Sequence, residues 1–171
     1  MRRIVSDRHR EIERKFLVHA ERLPAAAIAQ GERLIQGYLS SSPAVRIRVA
    51  EPTLNADGTE TEPARAWLTI KGPGLVERAE FEYAISPADA RAMLPLAKTS
   101  IAKIRYRIPA VRHTWEVDQF EGPHAGLWLA EIELGSADEA FDRPEWLGAE
   151  VSEDPRYANV ALAQAGKAPA T

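Results

Sequence analysis

Charged residues at alternate positions, repeated in seven short segments, restrict the fold of this chain more than any other feature. Successive side chains of a β-strand point to opposite faces, so residues two apart share a face. In Trp115-Glu116-Val117-Asp118, the two carboxylates share one face and the two apolar side chains share the other. The pattern predicts eight strands, over residues 10–18, 33–40, 44–50, 65–71, 78–85, 101–108, 113–119 and 127–135.

Most of these segments carry charges of one sign on the charged face. The acidic members are Glu11, Glu13, Glu80, Glu82, Glu116, Asp118, Glu131 and Glu133. The basic members are Lys15, Arg46, Arg48, Lys71, Lys103 and Arg105. A surface that keeps a protein in solution normally intersperses the two signs, so the sorting indicates that these faces surround a shared interior.

A closed barrel satisfies this pattern. Eight antiparallel strands can close around a space that holds one small ligand. Burying so many charges without water would cost several kcal/mol for each of them, so the interior is predicted to be hydrated, internally ion-paired and loaded with metal. We therefore predict an α+β fold that is mostly antiparallel β: an eight-stranded closed β-barrel with a few flanking helices.

Three helices and one long loop are predicted between and after the strands. A serine cap followed by proline opens a helix over 86–94, a second serine opens a short helix over 136–139, and an Asp-Pro pair opens the C-terminal helix over 154–165. The polar segment 51–64 is predicted to be a solvated hairpin loop that turns at Asp57-Gly58.

Composition narrows the function classes. The chain of 171 residues is predicted to be a single domain, 1–171, with its core at about 9–165. Its net charge of −3 disfavours a general nucleic-acid binder, and the lack of cysteine excludes disulfides, zinc–thiolate sites and cysteine nucleophiles. No apolar run reaches the roughly 20 residues of a membrane span, and no secretory signal is present. We expect a cytoplasmic protein without nucleic-acid or membrane partners.

The sorted charges suit a polyanion bound together with a metal ion. Two carboxylates at positions i and i+2 of a strand lie about 6.6 Å apart, close enough for glutamates to converge on one or two cations. Ligand sets made only of oxygen favour Mg²⁺ or Mn²⁺ over zinc or copper. Lysine and arginine pairs form charge-assisted hydrogen bonds with phosphate oxygens. The pattern therefore predicts a small anionic, phosphate-rich substrate.

An ordered set of motifs resembles the CYTH superfamily, the triphosphate tunnel metalloenzymes. The first motif, E-x-E-x-K, is Glu11-Ile12-Glu13-Arg14-Lys15. The later motifs are Gln36-Gly37-Tyr38, Arg46-Ile47-Arg48, Leu68-Thr69-Ile70-Lys71, Glu80-Phe81-Glu82, Lys103-Ile104-Arg105, Trp115-Glu116-Val117-Asp118 and Glu131-Ile132-Glu133. The resemblance implies the tunnel fold and hydrolysis of tripolyphosphate, of thiamine triphosphate or of nucleoside triphosphates, or cyclisation of ATP. The chain is most similar to short bacterial members that resemble tripolyphosphatases.

The resemblance also implies residue roles. The metal ligands it implies are Glu11, Glu13, Glu131 and Glu133, with Asp118 as a further ligand. The phosphate-binding residues it implies are Lys15, Arg46, Arg48, Lys71, Lys103 and Arg105. The catalytic candidates are Lys103, Arg105, Glu80, Glu82 and Tyr38. The two glutamates either orient basic residues or help to activate water, and the tyrosine either borders the tunnel or only packs.

Several alternatives stay open at the level of sequence. The enzyme could act on an organic triphosphate, or the chain could be a non-catalytic polyphosphate-binding module, although the full acid set favours catalysis. A homodimer could cover part of the apolar outer face. The histidines, predicted to lie on the surface or in loops, are His9, His19, His113 and His124. The tryptophans, predicted to pack in the core or its shell, are Trp67, Trp115, Trp128 and Trp146.

Overall fold

Eleven β-strands and two α-helices build the part of the chain described by the computed structural model, residues 9–54 and 60–169. The strands are β1 (Arg10–Val18), β2 (Glu32–Ser41), β3 (Ala44–Ala50), β4 (Thr53–Leu54), β5 (Glu60–Glu62), β6 (Arg65–Lys71), β7 (Glu77–Ile85), β8 (Thr99–Pro109), β9 (Thr114–Phe120), β10 (Trp128–Glu133) and β11 (Leu147–Glu150). The α-helices are α1 (Pro87–Met93) and α2 (Asn159–Ala165). Short 3-10 helices span Ala20–Arg22, Ala25–Ile28, Leu94–Leu96, Gly122–His124 and Pro155–Tyr157.

Eight of the strands close into an antiparallel barrel. Their order is β1-β10-β9-β8-β2-β3-β6-β7, and β7 returns to β1. Strand β1 closes the ring because Glu13–Leu17 pairs with β10 while Arg10–Ile12 pairs with β7. The predicted eight-stranded barrel is confirmed, and every predicted strand forms. Strand β11 was not predicted; it pairs with the end of β1 at Phe16 and Val18.

The helices agree less well with the sequence. Helix α1 begins as predicted, because Ser86 Oγ accepts a hydrogen bond of 3.0 Å from the backbone N–H of Asp89. The predicted helix over 136–139 is wrong: a single turn forms, and the Glu139 carboxylate accepts a 2.6 Å hydrogen bond from the N–H of Gly135. The predicted helix over 154–165 is divided into a 3-10 turn and α2, because Ala158 has extended backbone angles.

The long segment 51–64 contains the hairpin that was predicted. Strands β4 and β5 pair with each other and form a separate two-stranded sheet. The predicted turn at Asp57-Gly58 lies outside the described residues. No helix within the described ranges is long and apolar enough to span a bilayer.

Apolar outer faces explain why the charged faces point inward. Outside β1, β9 and β10, Phe16 and Trp115 are buried under the segment that precedes β11, with the Trp115 and Trp146 rings 5.5 Å apart. On the opposite wall, Ile47 and Val49 pack with Ala90 of α1. Trp115 and Trp146 therefore pack as predicted. Burial of these large apolar side chains stabilises the barrel and leaves its other face for the charges.

A C-terminal plug closes one end of the barrel. We use this name for residues Pro155–Ala165, the last 3-10 turn and α2. Its Tyr157 and Leu162 pack against inward-facing apolar side chains of the strands, among them Phe120 and Leu129. His124 is also buried here, with its Nε2 2.8 Å from the carbonyl oxygen of Leu162. It lies in the connection between β9 and β10, one of the two predicted settings, but not on the surface. Residue spacing cannot reveal this burial because it depends on the docking of the plug.

Truncation of the plug core should destabilise the protein. Leu162 is completely buried, so Leu162→Ala is expected to lower the free energy of unfolding by about 2–5 kcal/mol. Gln164→Ala on the exposed side of the same helix should change it by less than about 0.5 kcal/mol. Urea denaturation followed by circular dichroism measures both values. Equal stabilities of the two variants would contradict the docked plug.

Candidate active site

The charged faces of the barrel strands surround one cavity of about 640 Å³, which we call the main chamber. Its lining includes most of the side chains that were predicted to face a shared interior. Those members are Glu11, Glu13, Arg46, Arg48, Lys71, Glu80, Glu82, Arg105, Glu116, Glu131 and Glu133. The charges therefore converge inside the barrel and are not dispersed over its outer surface.

A second cavity of about 410 Å³, the side chamber, lies between the main chamber and the plug. Lys15 and Tyr38 line it, together with the β2–β3 turn, the β6–β7 turn and residues of the plug. Four residues line both cavities, and we call them the junction: Glu13, Arg46, Lys71 and Asn159. The two chambers meet at this junction.

A buried ion-pair cluster supports one wall of the main chamber. Asp118 is fully buried and accepts two hydrogen bonds of 2.7 Å from the Arg105 guanidinium, which also donates to Glu131 at 2.9 Å. Lys103 contacts the same aspartate. Neither Asp118 nor Lys103 is among the residues that line the two chambers. Asp118 holds Arg105, and Lys103 in turn pairs with Asp118. The metal-ligand role of Asp118 and the phosphate-binding role of Lys103 stay predictions.

The environment of Lys103 lowers its pKa to about 8. Burial is the largest cause, and the neighbouring Arg105 charge adds to it, while Asp118 acts in the opposite direction. A pKa near 8 means that part of the Lys103 population is neutral in slightly alkaline solution. An additional anion beside the Lys103–Arg105 pair would favour the charged form.

Lys15 and Glu131 form the central ion pair at the closure of the barrel. Their side chains lie 2.7 Å apart, and Lys15 is also 3.5 Å from Glu13. Burial alone would lower the pKa of Lys15, but the carboxylates of Glu131 and Glu13 raise it above its usual value. Burial would likewise raise the pKa of Glu131, but the positive charges of Lys15, Lys103 and Arg105 hold it well below its usual range. Both groups are therefore ionised at neutral pH.

Glu80 and Glu82 of β7 contact basic residues of the neighbouring strand β6 and of β3, the next strand in the barrel. Glu82 lies 3.0 Å from Arg48 and 3.8 Å from Arg46. Glu80 lies 3.4 Å from Lys71 and 3.7 Å from Arg46. Of the two roles considered from the sequence, these contacts favour the orientation of basic residues.

Tyr38 combines the two arrangements that the sequence left open. Its ring belongs to the apolar cluster beneath the plug, and the residue also lines the side chamber. Burial raises the pKa of its hydroxyl above the usual value. Tyr38 is thus a neutral side chain at the edge of the chambers.

Sequence reasoning gave no role to several residues of the site. Arg78 lies 2.7 Å from Glu11, Gln36 accepts a hydrogen bond of 2.8 Å from Arg46, and Thr69 donates one of 3.0 Å to Glu82. Arg78 and Thr69 share the alternation of the charged residues in their own strands, so parity points to both. Asn159 could not be found in this way because it comes from α2.

Carboxylates face one another where β1 meets β10. Glu13 and Glu133 are directly opposite in the strand register, an arrangement that is unfavourable for like charges without a cation between them. Burial first, and then the carboxylates of Glu11, Glu80 and Glu13, raises the pKa of Glu133 above its usual value. No ion pair holds Glu133 within the described ranges. This side of the chamber therefore favours a hard cation, which carboxylate oxygens bind well.

The carboxylates are not yet arranged as a metal-ligand cluster. Among residues 9–54 and 60–169, no group of three or more acidic or histidine side chains is positioned to hold an ion. The reason is that Glu11 turns towards Lys71 and Arg78, each at 2.7 Å, while Glu131 turns towards Lys15. A bound cation would have to take over oxygens that these basic groups now contact.

The opposite side of the main chamber has unused hydrogen-bond donors. The Nε atoms of Arg46 and Arg48 are buried, without a partner in the described part of the chain. The same holds for the Nε2 atom of Gln36, which is not among the lining residues. Such donors cost about 1–3 kcal/mol each when they stay unpaired. Burial, followed by the Arg46 charge, lowers the pKa of Arg48 to about 10. This side therefore favours an anion, whereas the carboxylate side favours a cation. We call the main chamber polarised for this reason.

Comparisons with known proteins agree with this geometry. Two curated relatives are both named inorganic triphosphatase. The protein from Acetivibrio thermocellus is 36% identical over 155 residues, which cover 88% of this chain and 90% of that protein. The protein from Nitrosomonas europaea is 36% identical over 163 residues, which cover 90% of this chain and 96% of that protein.

The same relationship appears in a solved structure and in a family profile. A crystal structure of an inorganic triphosphatase superposes with a TM-score of 0.58 and 30% identity, covering 94% of this chain and 95% of that one. The profile of the CYTH domain matches residues 9–163, from the start of the barrel to the plug. The chain therefore belongs to the CYTH domain family.

Proposed function

We propose that this protein is a metal-dependent hydrolase of a linear triphosphate and that inorganic tripolyphosphate is its substrate. The observation that carries the proposal is the polarised main chamber, with carboxylates on one wall and unpaired arginine donors on the other. A triphosphate and a metal ion together supply the two charges that these walls lack. The names of the relatives at 36% identity support the same reaction.

The basic residues hold the phosphate groups in this proposal. Arg46 and Arg48 donate from the β3 wall, Lys71 and Arg105 donate from adjoining walls, and Lys15 and Lys103 add charge from behind. Arginine suits this work because its planar fork can bind phosphate oxygens in pairs. Charge neutralisation and in-line positioning supply most of the rate acceleration in phosphoryl transfer.

The carboxylates of β1 and β10 hold one or two Mg²⁺ or Mn²⁺ ions in this proposal. The ligands are Glu11, Glu13, Glu131 and Glu133, with Asp118 as a further candidate. When bound, such an ion neutralises phosphate charge and lowers the pKa of its bound water. Glu80 and Glu82 keep the arginines and Lys71 in place through the ion pairs described above.

The lining of the main chamber favours an inorganic substrate. None of the described residues that line it has an apolar side chain, so nothing there would bury a thiazole or purine ring. The adjoining side chamber does contain apolar residues, including Pro43, Leu75 and Val160. This observation makes an organic triphosphate, such as a nucleoside or thiamine triphosphate, the second candidate. The complete carboxylate set supports catalysis over a non-catalytic binding module.

The cellular setting is also part of the proposal. We propose a cytoplasmic enzyme, which is compatible with a chain that has no cysteine. A homodimer stays a prediction. Its candidate surface is the outer face of β7, where Tyr83 is 54% exposed.

A substrate panel tests the reaction. Purified protein should release phosphate from tripolyphosphate faster than from pyrophosphate, ATP or thiamine triphosphate, and only when Mg²⁺ or Mn²⁺ is present. Chelation with EDTA should abolish the release, and added metal should restore it. Fastest turnover of ATP or thiamine triphosphate would replace the first candidate by the second, and formation of cyclic AMP would identify a cyclase. Triphosphate binding without turnover under all conditions would contradict catalysis.

Replacement of Glu133 should have opposite effects on stability and on metal binding. Glu133→Gln removes a carboxylate whose pKa is raised in the folded state, so it should raise the melting temperature of the metal-free protein near pH 7. This gain should vanish as the pH falls through the usual glutamate pKa of about 4.3, because the wild-type carboxylate is then neutral as well.

The same variant should need about ten-fold more metal for half-maximal activity, because one ligand has lost its charge. Glu21→Gln, at an exposed position outside the barrel interior, is the matched control and should change neither property. Scanning calorimetry and metal titration of phosphate release measure the two effects. Unchanged metal dependence of Glu133→Gln would remove Glu133 from the ligand set.

A further inference from the structure

Asn159 is a polar residue of the plug that reaches the junction of the two chambers. It begins α2 and lines both the main chamber and the side chamber. The other junction residues, Glu13, Arg46 and Lys71, all come from barrel strands. Asn159 is therefore the one junction residue, in the described part of the chain, whose position depends on docking of the plug.

The surroundings of Asn159 determine which way its amide points. Its Nδ2 lies 3.4 Å from Oε1 of Glu131. Because Glu131 forms ion pairs with Lys15 at 2.7 Å and with Arg105 at 2.9 Å, its carboxylate only accepts hydrogen bonds. The amide nitrogen must face Glu131, and the Oδ1 atom must face away from it. The amide thus joins Lys15 and Arg105 around the same carboxylate.

The Oδ1 atom of Asn159 has no hydrogen-bond donor in the described ranges, although it is buried. A buried acceptor without a partner is unfavourable, so the site should contain a donor that the protein itself does not supply. A bare phosphate oxygen cannot donate. A water molecule can, and Glu13 and Lys71 line the same junction as Asn159. Buried waters commonly make about three such hydrogen bonds.

We propose that Asn159 is a positioning residue of the active site. Its Nδ2–H group fixes the Glu131 carboxylate, and its Oδ1 atom accepts a hydrogen bond from a water molecule held at the junction. The C-terminal plug therefore completes the site as well as closing the barrel. The kinetic part of this inference rests on the proposed function, whereas the contact with Glu131 does not.

The backbone of the plug supports the same coupling. The carbonyl oxygen of Tyr157 lies 3.4 Å from the Lys15 ammonium, and Ser152, just before the plug, accepts a 2.9 Å hydrogen bond from the N–H of Lys15. The plug and the segment before it thus contact both partners of the Lys15–Glu131 ion pair. Asn159 is the side chain of α2 that extends this contact into the chambers.

The test compares two amides on the same helix. Asn159→Leu keeps the approximate size of the side chain and removes both hydrogen-bonding groups, while Gln164→Leu removes an exposed amide as the matched control. Asn159→Ala serves as a second variant if leucine impairs folding. Three properties are measured for each protein: Mn²⁺ affinity of the substrate-free protein by calorimetry, kcat and KM for tripolyphosphate, and the melting temperature.

Asn159→Leu should weaken Mn²⁺ binding and lower kcat by about ten-fold or more, as is typical for loss of a group that orients a metal ligand. Its KM should change much less, and its melting temperature should fall by only about 2–4 °C, because the hydrogen bond lost to Glu131 is long, at 3.4 Å. Mn²⁺ affinity and kcat equal to those of Gln164→Leu would overturn the proposal. If the wild-type protein cleaved no triphosphate, the proposed function would fail, and the Mn²⁺ titration alone would still decide the role of Asn159.

Discussion

The ion pair between Lys15 and Glu131 is the interaction on which the rest of the structure depends. The two residues are opposite each other where β1 closes the barrel against β10. Arg105 reaches Glu131 from the neighbouring wall, and the plug contacts both members of the pair. Removing one partner of a buried pair leaves an uncompensated charge, at a typical cost of about 3–5 kcal/mol. This one ion pair therefore contributes to closure of the barrel, to docking of the plug and to the charge balance of the site.

The ligand-free interior is stable because its charges neutralise one another. Glu11 forms ion pairs with Lys71 and Arg78, while Glu82 forms one with Arg48. A triphosphate and a metal ion would replace these contacts. Phosphate oxygens can take the place of carboxylates beside the basic groups, and a metal ion can take the place of the basic groups beside the carboxylates. The internal ion pairs thus keep these charged side chains inside the barrel without a ligand.

Predictions from the sequence were correct where the responsible interaction joins residues close together in the chain, and wrong where it joins residues far apart. The helix after Ser86 formed because its cap is a contact between residues three apart. The helix over 136–139 failed because the Glu139 carboxylate binds the N–H of Gly135 and also lies 3.0 Å from His113, a residue of a distant loop. The burial of His124 was not predicted for a similar reason, since it requires α2 to dock above the residue. Strand β11 was missed because its short segment carries no alternation of charge.

The sequence by itself determined the eight strands, the side of each strand that carries charge and the resemblance to the CYTH superfamily. Alternation has a period of two, so the face of every strand residue follows from its position in the chain. Only the tertiary structure decided which charges meet, that Asp118 and Lys103 lie beside Arg105 outside the chamber lining, and that Asn159 reaches the junction. The physical reason is that strand register and barrel closure bring together residues far apart in the chain, and no local pattern encodes those distances.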